Sequence, residues 1–145
     1  MDGGLTRRRD DGLLLTTDPA RIDLAKVHGW LSGESYWANG RDLATVGRSI
    51  AGSLVAGVYD GPSQLAFARV VTDRATFGWL CDVFVEESAR GRGIGSWLVG
   101  ALSEHLAGFG VYRLLLATKD AHDIYATAGF TPLPHPPDYM IRDTR

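Results

Sequence analysis

The sequence contains a single cysteine, Cys81, so neither an internal disulfide framework nor a multi-cysteine metal site can be built from it. It has no apolar run near the roughly 20 residues that cross a bilayer. Its charges nearly cancel, 15 basic against 17 acidic. That balance argues against nucleic acid and acidic membranes as partners, since both attract a basic excess. The histidines, His28, His105, His122 and His135, are scattered without a ligand-like grouping, and no metal is expected. Arg7, Arg8 and Arg9 could open an export signal, but Asp10, Asp11 and Gly12 follow, and then only three leucines. That is no apolar signal region. Residues 1–11 therefore read as a solvated, flexible tail, and the protein as cytoplasmic. With no repeat, low-complexity tract or long linker, residues 12–145 read as one domain, within the usual range of about 100–200 residues.

What is present is a change of hydrophobic period along the chain. Residues 13–17 read as a strand, stopped by Asp18-Pro19, a pair that also suits a helix cap followed by the first helical position. Ile22, Ala25, Val27, Trp30 and Leu31 mark a helix ending near residues 32–33. A second helix is expected over residues 37–50, with Leu43, Val46 and Ile50 on one face. Residues 53–59, 64–71 and 76–85 are extended and joined by short turns at Asp60-Gly61-Pro62 and residues 73–75, an antiparallel meander. Helix returns after Gly93, where Ile94, Trp97, Leu98, Ala101, Leu102, His105 and Leu106 keep i, i+3, i+4 spacing. Residues 113–117 read as a short buried strand and 120–128 as a helix closed by Gly129. A last extended segment starts at Phe130 and resumes at residues 139–141 after four prolines. Central strands flanked by helices indicate an α+β fold on a mixed sheet.

The most informative stretch joins the strand ending at Val85 to the helix beginning at Ile94. Between them lies Arg90-Gly91-Arg92-Gly93-Ile94-Gly95-Ser96. Glycines allow positive φ and let backbone approach a ligand closely. The first amides of a helix lack intrahelical partners and sit at the positive end of its dipole. Together they form a pyrophosphate cradle, with Arg90 and Arg92 adding charge at its mouth. A dinucleotide fingerprint read from Gly91 would need Gly or Ala where Ser96 stands, and a first βαβ unit rather than preceding antiparallel strands. A P-loop would need Gly-Lys-Ser/Thr, which is missing.

These residues resemble the Q/R-x-x-G-x-G/A signature of the GNAT (GCN5-related N-acetyltransferase) family. A second match, Ile124-Tyr125-Ala126-Thr127-Ala128-Gly129-Phe130, is similar to the family's aliphatic-Tyr-x-x-x-Gly-Phe motif and follows in the right order and at the right spacing. Tyr36-Trp37-Ala38-Asn39-Gly40-Arg41 and Leu80-Cys81-Asp82-Val83-Phe84-Val85 resemble a bacterial subgroup of small GNAT proteins. The resemblance implies a mostly antiparallel central sheet with helices on both faces and a splay between the fourth and fifth strands. It implies acetyl-CoA as acyl donor, bound by Val83, Phe84 and Val85 along its pantetheine arm and by Arg90, Gly91, Arg92, Gly93, Ile94, Gly95 and Ser96 at its pyrophosphate. Many members carry Asn where this chain has Thr118. The cofactor contact then falls to Thr118, unless Thr118 or Asp120 caps the following helix.

The implied reaction is acetyl transfer to a primary amine of a small molecule or peptide, which needs a neutral amine and a proton for the leaving thiolate. Tyr125 is the candidate acid, against a purely packing role. Asp82, a carboxylate among apolar strand neighbours, can serve as base or bind a cationic acceptor, or else pair with an arginine such as Arg69. Glu86 and Glu87 read as solvated strand-end charges. Cys81 lacks a base partner and reads as a small hydrophobe rather than a nucleophile. Tyr36, Trp37 and Arg41 are candidate acceptor contacts: aromatics for an apolar or cationic group, arginine for a carboxylate. Two other functions fit the same residues: a non-catalytic CoA-binding module, and a small-ligand binder using the aromatics of the first two helices. A homodimer is compatible with each.

Overall fold

The computed structural model describes residues 3–145. Its framework is a six-stranded sheet of β1 (Thr6–Arg8), β2 (Leu14–Thr16), β3 (Leu54–Asp60), β4 (Ser63–Thr72), β5 (Gly78–Val85) and β6 (Leu114–Leu115). The strands lie in that order, antiparallel throughout except for the parallel pair β5–β6. The helices are α1 (Leu24–Glu34), α2 (Leu43–Ala51), α3 (Ile94–Gly108) and α4 (His122–Thr127). None among the described residues is long and apolar enough to cross a membrane.

Alternation along the central strands buries both faces of the sheet. Leu54, Ala56 and Val58 of β3 join Leu98, Val99 and Leu102 of α3 in one core cluster. Val55, between them, joins Phe67, Phe84, and Val27, Trp30, Leu31 and Val46 of α1 and α2 in the other. Each fully buried Leu or Val in these layers contributes about 1.5–3 kcal/mol. Helix starts follow capping chemistry: Asp23 accepts the Lys26 amide at 3.1 Å to open α1, and Asp42 that of Thr45 at 2.8 Å to open α2.

Three segments differ from the sequence expectation. The supposed tail contributes β1, with Thr6 opposite Thr16 and Arg8 opposite Leu14; short strands of charged residues suit a sheet edge, and apolar periodicity does not reveal them. The helix expected over residues 37–50 begins only at Leu43, because Gly40 takes φ +81°. The loop before it is tied down instead: the Ser35 hydroxyl donates to Leu31 O at 2.7 Å and accepts the Ala38 amide at 3.0 Å. The extended run expected at residues 139–141 forms no strand. The prolines at 132, 134, 136 and 137 remove ladder donors, leaving a 3₁₀ turn at Pro136–Asp138 and exposed Met140 and Ile141.

The sheet opens between β5 and β6. Pairing is confined to Gly78 opposite Leu114 and Trp79 opposite Leu115, after which β5 runs on to Val85 with no neighbouring strand on that edge among the described residues. With β1 counted, this is the splay expected between the fourth and fifth strands. Gly78 sets how closely the two strands meet at its root: a Cβ there would lie 2.6 Å from Leu114 Cδ2 and 3.0 Å from Val70 Cγ1. Gly78→Val should therefore cost about 1–3 kcal/mol by overpacking, read as a lowered midpoint in chemical denaturation with the slope unchanged.

Candidate functional site

At the middle of β5 the ladder carries a bulge. Phe67 faces Phe84 and Arg69 faces Cys81, so Asp82 and Val83 together oppose Ala68. Asp82 absorbs the extra residue at φ +54°, a left-handed conformation that aspartate tolerates better than most residues. The bulge reverses which side chains face which core. Leu80 packs on the α3 side, and beyond the bulge it is Val83 and Val85 that do so, while Phe84 turns to α1 and α2.

The Asp82 side chain, 1% exposed, accepts three charged or polar donors. Trp37 Nε1 reaches Oδ1 at 2.9 Å; Arg41 Nη1 and Arg69 Nε reach Oδ2 at 2.8 and 2.9 Å. Arg69 Nη1 also donates to Ser53 Oγ at 3.1 Å. The pairing with Arg69, the alternative to a base or acceptor-binding role, is present, and two of the three candidate acceptor contacts, Trp37 and Arg41, close directly onto Asp82. Tyr36 faces the opposite wall: its hydroxyl accepts the Lys119 amide at 3.1 Å, and Lys119 Nζ lies 5.0 Å from its ring centre.

A cleft of about 1180 Å³ runs along the unpaired edge of β5. One end is the glycine turn. Gly91 and Gly93 take φ +81° and +71°, and a Cβ on either would meet nothing within 4 Å, so the backbone is bare toward open space. No side chain caps α3, and the first of its amides to find a carbonyl is that of Trp97, bonded to Gly93 O at 3.0 Å. The preceding amides are therefore free for an anion. Arg90 lines this end, with Nε on Val85 O at 2.9 Å. Arg92 departs from the expectation: it turns to Asp11 at 3.2 Å, within the N-terminal hairpin, and does not line the cleft.

The far wall is the β6–α4 connection and α4 itself. Thr118 Oγ1 accepts the Ala121 amide at 3.1 Å, so Thr118 shapes the turn into α4 as well as lining the cleft, and Asp120 does not cap. The spacing from Tyr125 to Gly129 and Phe130 has a local cause. Gly129, at φ +97°, ends α4, with Phe130 N bonded to Tyr125 O at 3.1 Å and Gly129 N to Ala126 O at 3.0 Å, the paired bonds of a Schellman stop. The Tyr125 and Phe130 rings meet edge to face at 6.1 Å. Tyr125 thus has the packing role weighed against catalysis, yet it also lines the cleft. Its hydroxyl bonds to no described residue and is not sealed from solvent. Burial, with smaller contributions from Tyr36 and Asp120, pushes this phenol above the ordinary tyrosine value.

Cys81 also lines the cleft, but burial pushes its thiol up to about 11, which keeps it protonated and unreactive at neutral pH. Glu86 sits 3.4 Å from Lys26 at the strand end. Lys119, Trp79 and Arg145 line the cleft without having been singled out from the sequence. Arg69 was the legible one, a lone charge in the apolar run of β4. Lys119 and Arg145 lie in irregular segments where no periodicity marks them.

The chain matches the acetyltransferase (GNAT) family over residues 20–130. A solved GNAT-family protein from Xanthomonas campestris pv. campestris is 42% identical, with a TM-score of 0.86, covering 91% of this chain and 93% of that one. Glucosamine 6-phosphate N-acetyltransferase 1 of Oryza sativa subsp. japonica is 34% identical over 109 residues, 69% of this chain and 64% of that enzyme. A Mycobacterium tuberculosis protein solved in complex with CoA shares the fold, with a TM-score of 0.67 at 16% identity, covering 90% of this chain and 73% of that one.

Proposed function

Because the chain belongs to the GNAT family of acetyltransferases, whose members use acetyl-CoA, we propose that it transfers an acetyl group from acetyl-CoA directly to a primary amine of a small molecule or peptide. The observation that carries this reading is the continuity of one cleft, from the bare glycine turn, along the open edge of β5, to Tyr125. The amides of residues 91–96, with Arg90 beside them, suit a pyrophosphate. The edge of β5 at Val83, Phe84 and Val85, which has no neighbouring strand among the described residues, suits the amides of a pantetheine arm, and Thr118 lines the same cleft. The bound thioester supplies the acetyl group.

Tyr125 holds a proton at Oη, retained because burial disfavours the phenolate. As the amine nitrogen bonds the acetyl carbon and the carbon–sulfur bond breaks, the phenol protonates the departing sulfur. The proton lost by nitrogen leaves to solvent in the open cleft, from which the phenol is reprotonated. Asp82 is better suited to positioning than to proton abstraction, since both its oxygens are occupied and its side chain is closed to solvent. It holds Trp37 and Arg41 in place, and these, with Tyr36, wall the acceptor end.

The test is free-thiol release from acetyl-CoA across a panel of amines, amino acids, peptides and antibiotics. Release that depends on an amine, above hydrolysis without one, is expected. Tight CoA binding with no release anywhere in the panel would replace the enzyme with a CoA-binding module, and no CoA binding would favour a binder of other small ligands.

A further inference from the structure

The Asp82 cluster is unbalanced. One carboxylate meets two guanidiniums, leaving a surplus positive charge at the acceptor end of the cleft. Its placement is specific. Arg69 gives Nε to Asp82 and Nη1 to Ser53 and is only 13% exposed. Arg41 gives Nη1 alone and is 24% exposed. The remaining edge of Arg41, Nε with Nη2, has no acceptor among the described residues and is not sealed from solvent. That edge is a parallel pair of N–H donors, the fork that matches two oxygens of a carboxylate or phosphate. Glu34 also lines the cleft but pairs with neither arginine.

The fork is well separated from the glycine turn, since the strand from Asp82 to Val85 alone covers about 10 Å at roughly 3.3 Å per residue. Trp79 and Cys81 lie on the sheet face that bears Arg69, through the register Val71–Trp79 and Arg69–Cys81, and they line the same cleft as Arg41 and Trp37.

We infer that the acceptor bears an oxyanion, carboxylate or phosphate, which the Nε/Nη2 edge of Arg41 binds bidentately while the acceptor's body lies against Trp37 and Trp79. This rests on the acetyl-transfer reading and narrows its acceptor to anionic amines. Arg69 and Asp82 act behind Arg41 as positioning residues, fixing the plane of its guanidinium.

Matched pairs of amines test it: amino acids against their amides, and amino-sugar phosphates against the free amino sugars. In the wild-type protein kcat/KM should favour the anionic member of the recognised pair by about 10- to 100-fold, the range of a charged hydrogen-bonded contact. The pair that shows the preference distinguishes carboxylate from phosphate. Arg41→Gln should bring the ratio close to one through KM for the anionic member, and Arg41→Lys should restore only part of it, having charge without the fork. Equal turnover of anionic and neutral members in the wild type overturns this inference and leaves acetyl transfer standing; no turnover of any amine overturns acetyl transfer. The inference is then judged by binding alone, with tryptophan fluorescence following inorganic phosphate or succinate added to CoA-saturated protein. Saturable binding weakened at least about tenfold by Arg41→Gln supports it. Absent binding, or equal binding by the variant, overturns it.

Discussion

Replacing Tyr125 with phenylalanine is expected to lower kcat by about 10²–10⁴-fold, the usual contribution of a positioned general acid, with CoA affinity nearly unchanged. Tyr125→Phe removes one oxygen and keeps the ring, so the edge-to-face contact with Phe130 and the backbone stop at Gly129 persist. Because the hydroxyl bonds to no described residue, its loss leaves no partner stranded, and stability should change little. The pH profile carries a second expectation. The phenol's pKa is raised from about 10 by burial, so the protonated, donating form persists through neutral pH. The alkaline limb that belongs to Tyr125 should therefore fall above the ordinary tyrosine range and vanish in Tyr125→Phe. Near-normal turnover by the variant, measured where chemistry limits the rate, would return Tyr125 to packing alone.

Asp82→Ala is expected to destabilise the fold by about 3–5 kcal/mol, the cost of breaking a buried ion pair from one side. The alanine would leave Arg69 and Arg41 facing one another without their shared carboxylate and Trp37 Nε1 without its acceptor. It would also put an ordinary residue at φ +54°, which alanine tolerates less well than aspartate. Asp82→Asn keeps the shape and the left-handed preference and should cost less. Its effect should fall mainly on KM for the acceptor, because Arg41 loses its anchor while the glycine turn is untouched. Denaturant titration reads the first variant and steady-state kinetics the second. An alanine variant as stable as the wild type would mean that the cluster contributes little to holding residues 36–41 on the sheet.

Much of this was readable in the sequence because it rests on local rules. The glycine turn is visible because glycine takes the positive φ of residues 91 and 93 at the least cost, and α3 because its apolar stripe repeats over several turns. The Tyr125–Phe130 spacing is visible because a Schellman stop demands a glycine at one place. What escaped depends on contacts distant in sequence. β1 forms only because β2 offers an edge. The bulge at Asp82 is a register slip between two strands, and no local pattern in residues 78–85 announces it. Asp82 stood out as a charge in an apolar strand and Arg69 as a partner for it, but that Arg41 and Trp37 would also fill its oxygens follows from the loop at residues 35–41 folding back over β5. Arg92 has a partner that its place in the motif did not announce, Asp11 in the unsuspected hairpin.

The whole account depends on the glycine turn binding the pyrophosphate of CoA, and calorimetric titration of CoA into wild-type and Gly93→Val protein tests this most directly. Gly93 caps α3 at φ +71°, where a β-branched residue is strained and its side chain would fill the bare space in front of the free amides. The account predicts saturable CoA binding by the wild type and a loss of at least about tenfold, 1.4 kcal/mol or more, in a variant that thermal unfolding shows to be folded. Equal affinity in the two folded proteins would contradict it.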